Sequence, residues 1–314
     1  MIQNAALIVR RKGIGALAAA GLFDVKGMLC RHILGRRFIR RRVRDFDMML
    51  DLEDRGISRT LLLFGRREEE HVAILRRVLH EGMTVFDIGA NIGYYALIES
   101  SLVGAGGCVL AIEPSPDNVK LLNRNLALNG CGNVQVLEMA VSDRGGRQSL
   151  HLSHQSNLNT FHPTGSALPH LSDRSVDVET DTVPAIARRV GIKPDLIRMD
   201  VEGHEVEVLR GLLPAIEAGE MAPMILFETH LSRYSPDHDL AAPLRALFAA
   251  GYRVPYLAST SEVGTTKIRE RGYREGERLE SDLIERVVFE NVGADDAIDL
   301  ICRAGGVRAV LLSR

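Results

Sequence analysis

A doubly wound α/β domain, with a mostly parallel sheet covered by helices on both faces, is the fold class the sequence predicts. Three observations carry it. From Thr84 onward, apolar runs of strand length alternate with segments of helical period. The first run, in TVFDIGANIGYY (84–95), breaks at Gly89 and Gly93, with Asp87 just before the break. The second run ends in Glu113, twenty residues past Gly93, followed by Pro114.

The elements follow in order. Up to Arg44 the chain carries eleven Lys/Arg against one acid, Asp24, and the apolar residues Leu22, Val25, Leu29 and Ile33 recur at helical spacing, so residues 1–45 are expected to form a basic helical arm. Two readings of the arm stand: a helix packed on the main domain with a solvated basic face, or peripheral contact with an anionic membrane. Residues 46–80 are expected to form a β-hairpin around Asp54-Arg55-Gly56 and then a helix. Residues 81–314 hold the main domain, with strands at TVFDIG, CVLAIEP, VQVLEMAVS, DLIRMDV and PMILFETH and helices between them. Two stretches interrupt the alternation: a polar β excursion at 149–180 and a charged, Gly-punctuated stretch at 259–282 that reads as a mobile loop.

With 46% hydrophobic residues and a formal net charge of −2, the chain suits a folded domain rather than a disordered or nucleic-acid-binding one. Four scattered cysteines without a CxxC pair suggest neither zinc nor disulfides. Arg10 and Arg11 before an apolar run imitate an export signal, but that run is only ten residues long, and a cytoplasmic protein is expected, with or without contact at the inner membrane.

Glycines at the carboxyl edge of a parallel sheet let a ligand approach the backbone. A dinucleotide fingerprint counted from Gly89 would need glycines where Asn91 and Tyr94 stand, and no GK[ST] is present, so a pyrophosphate is disfavoured. An acid at the distance of Glu113 receives a ribose diol in such folds. A nucleoside without phosphates remains, and the sulfonium nucleoside S-adenosylmethionine meets the demands.

VFDIGANIGYYA, AIEPSPDNVKLLNRNLALNG, VLEMAVSD, DLIRMDVEGHEVEVLRG and PMILFETH, in this order, resemble the FkbM family of S-adenosylmethionine-dependent methyltransferases, from about Met49 to Tyr256. The resemblance implies a class I methyltransferase (Rossmann-like) fold, a seven-stranded sheet with an antiparallel final strand, and O-methylation of a sugar, glycan or related small-molecule hydroxyl. Carried over, Asp87, Gly89, Asn91 and Gly93 would hold the methionine end of the cofactor, Glu113 the ribose, and Ala140 and Val141 the adenine, with Asp200 near the transferred methyl. The chain departs from the family pattern at Arg198, where lysine is usual, and at Thr180-Asp181, where Thr-Leu-Asp is usual.

Methyl transfer to an alcohol needs a base or a polarising metal. His230, after the fifth strand, is the expected base, with Glu228 two residues earlier on the same side to orient it. Asp200, Glu202, Glu228 and His230 would together suit a cation such as Mg²⁺, but no fixed ligand spacing supports one and no metal ligand is assigned. His204 reads as the first turn of a helix, and His151, His154, His162 and His170 as mostly solvent-exposed loop residues. The rival is a non-catalytic module of the same fold that docks through its basic arm. The intact Gly89, Gly93 and Glu113 argue against it, and a homo-oligomer stays open.

Overall fold

The computed structural model describes residues 35, 37–163, 165–281 and 283–314, so residues 1–34 and 36 of the arm expected over 1–45 lie outside the described residues. The first described element is a strand, β1 (Phe38–Val43), paired antiparallel with β2 (Phe46–Asp51) through a turn in which Arg44 has φ 52°. This corrects the expected hairpin around Asp54-Arg55-Gly56 and the helical reading where it extended over 38–45. In FIRRRV the side chains alternate, with Ile39, Arg41 and Val43 turned inward and Phe38, Arg40 and Arg42 outward, so arginines disguise a strand period.

Residues beyond β2 form helices α1 (Ile57–Phe64) and α2 (Glu69–Val78). Asp54 is the start signal of α1: its Oδ2 accepts the Ser58 N–H at 2.8 Å and its Oδ1 the Gly56 N–H at 2.9 Å.

The alternating part follows as β3 (Thr84–Ile88), α3 (Tyr94–Val103), β4 (Cys108–Ile112), α4 (Pro116–Leu128) and β5 (Val134–Leu137). Val85, Phe86, Ile88, Val109, Leu110 and Ile112 are buried because parallel strands are covered on both faces. The polar excursion is a second sheet in which β6 (Ala140–Val141) pairs with β8 (Leu171–Asp181) and β8 with β7 (Gly146–Ser153). The chain then continues through α5 (Val183–Val190), β9 (Leu196–Met199), α6 (Glu205–Glu217), β10 (Met224–Glu228), α7 (Ala241–Ala249), β11 (Arg253–Ser259), α8 (Glu262–Arg269), β12 (Glu275–Ser281), β13 (Ile284–Val292), α9 (Ala294–Asp299) and β14 (Val307–Ser313).

The main sheet has nine strands in the order β12-β13-β11-β14-β10-β9-β3-β4-β5, which corrects the seven-stranded expectation. Strands β10, β9, β3, β4 and β5 are parallel neighbours, and the final strand β14 runs antiparallel between β10 and β11. The two added strands are β12 and β13, and α8 with β12 occupies most of 259–282, where a mobile loop was expected. Their charges mask the pattern: Arg269 holds Glu275 at 3.0 Å, and Arg278 pairs with Glu275 and Glu285. No helix among the described residues is long and apolar enough to cross a membrane.

Helix α4 clamps the hairpin to this sheet. Asn129 Oδ1 accepts the Asp47 N–H at 2.9 Å and its Nδ2 donates to the Asp47 carbonyl at 2.8 Å, while Asn125 accepts the Met49 N–H at 2.6 Å. Two asparagines four residues apart lie on one helix face and so meet alternate residues of one strand.

Candidate functional site

In such a sheet the ligand crevice opens beyond the carboxyl ends of the strands where the order reverses, here between β3 and β9. A cleft of about 520 Å³ lies there. Gly89, Asn91, Glu113, Ala140, Val141 and Asp200 line it, whereas Asp87, Gly93, Glu228 and His230 stand behind its wall. Phe161, Asn157 and Asn159 from the excursion close the facing side.

Glu113 is fixed from three directions. Its Oε1 accepts the Ser115 N–H at 3.0 Å and Asn118 Nδ2 at 3.1 Å, and its Oε2 accepts the Asn91 N–H at 2.9 Å. Burial pushes its carboxyl up to about 7, against the pull of these hydrogen bonds. A carboxylate oxygen accepts two hydrogen bonds, so Oε2 keeps capacity for a hydroxyl donor. Asn118, in the first turn of α4, was missed in the sequence; PDN at the start of a helix after Glu113 was the available signal.

The two glycines are required for different reasons. Gly89 has φ +79°, and a Cβ there would sit 2.2 Å from the Asp200 carbonyl oxygen, so the turn after β3 is pressed against the end of β9. Gly93 has φ +89°, and its Cβ would lie 2.6 Å from Leu122 Cδ1 on α4. Only Gly89 also borders the cleft.

Asp87 does not face the cleft as expected, because Arg198 claims it. Arg198 Nη1 lies 3.1 Å from Asp87 Oδ1 and Nη2 lies 3.3 Å from Asp200 Oδ2, with the guanidinium 3.9 Å from the Tyr95 ring centroid. Burial pulls the Arg198 guanidinium down, but Asp87 and Asp200 outweigh it and hold it above its ordinary value. It is a fixed cation between two acids. Deeper still, burial and then the charge of Asp87 raise the Glu99 carboxyl well above the usual range.

His230 stands among carboxylates at the ends of β9 and β10. Its Nε2 is 3.4 Å from Glu228 Oε1, 3.6 Å from Asp200 Oδ1 and 3.8 Å from Glu202 Oε1, and makes no hydrogen bond. Its Nδ1 lies 2.9 Å from Glu205 Oε1, so Glu205, unnoticed in DVEGHE, orients the ring more directly than Glu228. Glu228 is engaged with Arg308, which also holds Glu68 at 2.7 Å. Burial pulls the imidazole down, yet Glu205 and Glu202 hold it well above its ordinary value. Burial likewise pushes Glu202 up to about 7, against the attraction of His230.

His204 caps the start of α6 and is buried, with Nε2 3.0 Å from Ser142 Oγ. Of the excursion histidines only His154 is exposed; His151, His162 and His170 are half-buried, because the excursion folds onto the domain rather than into solvent. A sulfonium nucleoside fits these residues: Glu113 offers a free acceptor position, Ala140 and Val141 an apolar wall, and Asp200 and Glu202 negative charge.

A family model described as the methyltransferase FkbM domain matches residues 87–254. The hexuronic acid methyltransferase AglP of Haloferax volcanii is 30% identical over 155 residues, which are 49% of this chain and 59% of AglP. The 31-O-demethyl-FK506 methyltransferase FkbM of Streptomyces tacrolimicus is 30% identical over 160 residues, 43% of this chain and 61% of that one. The chain thus spans about three fifths of the length of these relatives. Methyltransferase FkbM from Methylobacillus flagellatus, among solved structures, aligns with 87% of this chain and 61% of its own at 13% identity and a TM-score of 0.33, a likeness too low to add to the family match. That match takes in more than half of the chain, which therefore belongs to the FkbM methyltransferase domain family.

Proposed function

We propose that the chain methylates a hydroxyl of a sugar, glycan or related polyhydroxylated small molecule. The observation that carries this reading is the buried, unpartnered Nε2 of His230, 3.6 Å from Asp200, which lines the cofactor cleft. An alcohol must lose a proton as its oxygen is methylated, and a buried nitrogen without a hydrogen-bond partner is placed to take it. The bound cofactor supplies an electrophilic methyl whose bonding pair leaves with sulfur. His230 takes the hydroxyl proton, Glu205 holds the ring, and Asp200 and Glu202 favour the imidazolium that forms. Glu205 and Glu202 hold the imidazole above its ordinary value, so the neutral form that can take the proton gains as pH rises.

Gly89, Asn91 and Glu113 would hold the cofactor by its methionine and ribose parts, and Asn157 and Asn159 suit a hydroxylated acceptor. The names of AglP, a hexuronic acid methyltransferase, and FkbM, a 31-O-demethyl-FK506 methyltransferase, agree with an oxygen-rich substrate. The experiment is incubation with S-adenosylmethionine and a panel of sugars, uronic acids and polyols, read by mass spectrometry before and after mild alkali. An alkali-stable methyl ether is expected. A carboxylate needs no base, so an alkali-labile ester whose formation survives His230→Ala would replace this reading.

A further inference from the structure

A second cluster of titratable groups lies beyond His204, outside the machinery described above. Glu207 Oε2 is 3.1 Å from His238 Nε2, 3.3 Å from His204 Nδ1 and 3.5 Å from His162 Nε2, and His162 Nε2 is 3.1 Å from His204 Nδ1. The donor atoms of His162, Glu207 and His238 all lie within 4.8 Å of one another.

The geometry points to a site for a divalent transition metal, zinc by preference, held by His162, Glu207 and His238 with His204 beside them. Ligand atoms about 2.0–2.1 Å from a tetrahedral zinc are separated by roughly 3.3–3.4 Å. The four separations of 3.1 to 3.5 Å bracket that value. Hydrogen bonding accounts for the cluster poorly, since three imidazole nitrogens converge on one carboxylate oxygen with two lone pairs.

The surrounding bonds suit metal ligation. His238 Nδ1 lies 3.1 Å from the Arg233 carbonyl oxygen, and donating there leaves Nε2 with its lone pair toward Glu207. His204 Nε2 is occupied with Ser142 Oγ, which leaves Nδ1 toward the cluster. Imidazoles with one carboxylate select zinc and its first-row neighbours over magnesium and calcium.

The ligands come from three segments: the excursion (His162), α6 (Glu207) and the loop before α7 (His238). A metal would pin the excursion, and with it the cleft-lining Phe161, to the body of the domain. None of its three ligands belongs to the proposed base or to Glu113, so the proposal stands or falls apart from the acceptor.

The test uses the tag-free full chain, stripped with chelator and titrated calorimetrically with zinc and, separately, magnesium. One zinc per chain, a raised melting temperature and no competition by magnesium are expected. The double variant Glu207→Gln, His238→Ala should lose affinity by more than about 100-fold, beyond the cost of removing an outer-shell partner, while His151→Ala binds as the parent does. Should the double variant not fold, cobalt uptake by the parent supplies the second readout, with the intense visible bands of tetrahedral Co²⁺ expected. The proposal is overturned by a stripped parent that takes up no zinc, by a folded double variant that binds it unchanged, or by cobalt that gives only the weak octahedral spectrum.

Discussion

His230 Nδ1 lies 2.9 Å from Glu205 Oε1, so the ring at the end of β10 takes its orientation from the first turn of α6. Replacing His230 by alanine should lower turnover by roughly 10²- to 10⁴-fold and leave cofactor affinity nearly intact. A base works deprotonated, so kcat/KM should rise with pH through an ionisation well above the ordinary histidine value. Glu205→Gln removes the largest charge that raises it and should move that rise to lower pH. Profiles that superimpose would exclude His230 as the base.

Glu113 ties cofactor affinity to pH. Its carboxyl is pushed up to about 7, and only the ionised form keeps both oxygens as acceptors, so the affinity for S-adenosylhomocysteine should weaken as pH falls through that value. Glu113→Gln should flatten this dependence. Glu113→Ala should cost about 1.5–3 kcal/mol of binding, measured by calorimetry. Unchanged affinity would mean that the ribose lies elsewhere.

Gly89→Ala places a Cβ 2.2 Å from the Asp200 carbonyl at a positive φ. The left-handed conformation alone costs about 1–3 kcal/mol, and the clash adds to it. Denaturant unfolding should show the loss, and S-adenosylhomocysteine binding should fall with it because β3 and β9 are forced apart at the cleft.

Arg198→Met strands Asp87 as a buried charge without its partner. A loss of about 3–5 kcal/mol is expected, as for broken buried ion pairs. Adding Asp87→Leu removes the stranded charge, and the pair of changes should recover much of the loss. Equal stability of the single and double variants would show that the Asp87–Arg198 contact at 3.1 Å carries no such penalty.

The parallel strands were legible because burial on both faces leaves apolar runs such as Val85, Phe86 and Ile88 that no solvent-facing period interrupts. β1 and β12 were not legible, because Arg40, Arg42, Glu277 and Arg278 stand on outward faces and make a strand look like a charged loop. Gly89 and Glu113 could be placed at the cleft by spacing alone, since each directly follows the end of its own parallel strand. Asp87 was misplaced because its partner is 111 residues away, and Glu205 was missed because its role depends on where β10 brings His230. Long-range pairing of this kind leaves no periodic trace.

The nine-stranded sheet ends on one side at β5, four residues long, and on the other at β12, which presents Glu275, Glu277, Arg278 and Glu280. An open strand edge is a template for pairing with another chain, and both shortness and charge defeat it. The outer strands therefore act as insulation. Growth by edge-to-edge pairing of this sheet, by fibre or by domain exchange, is suppressed at both ends.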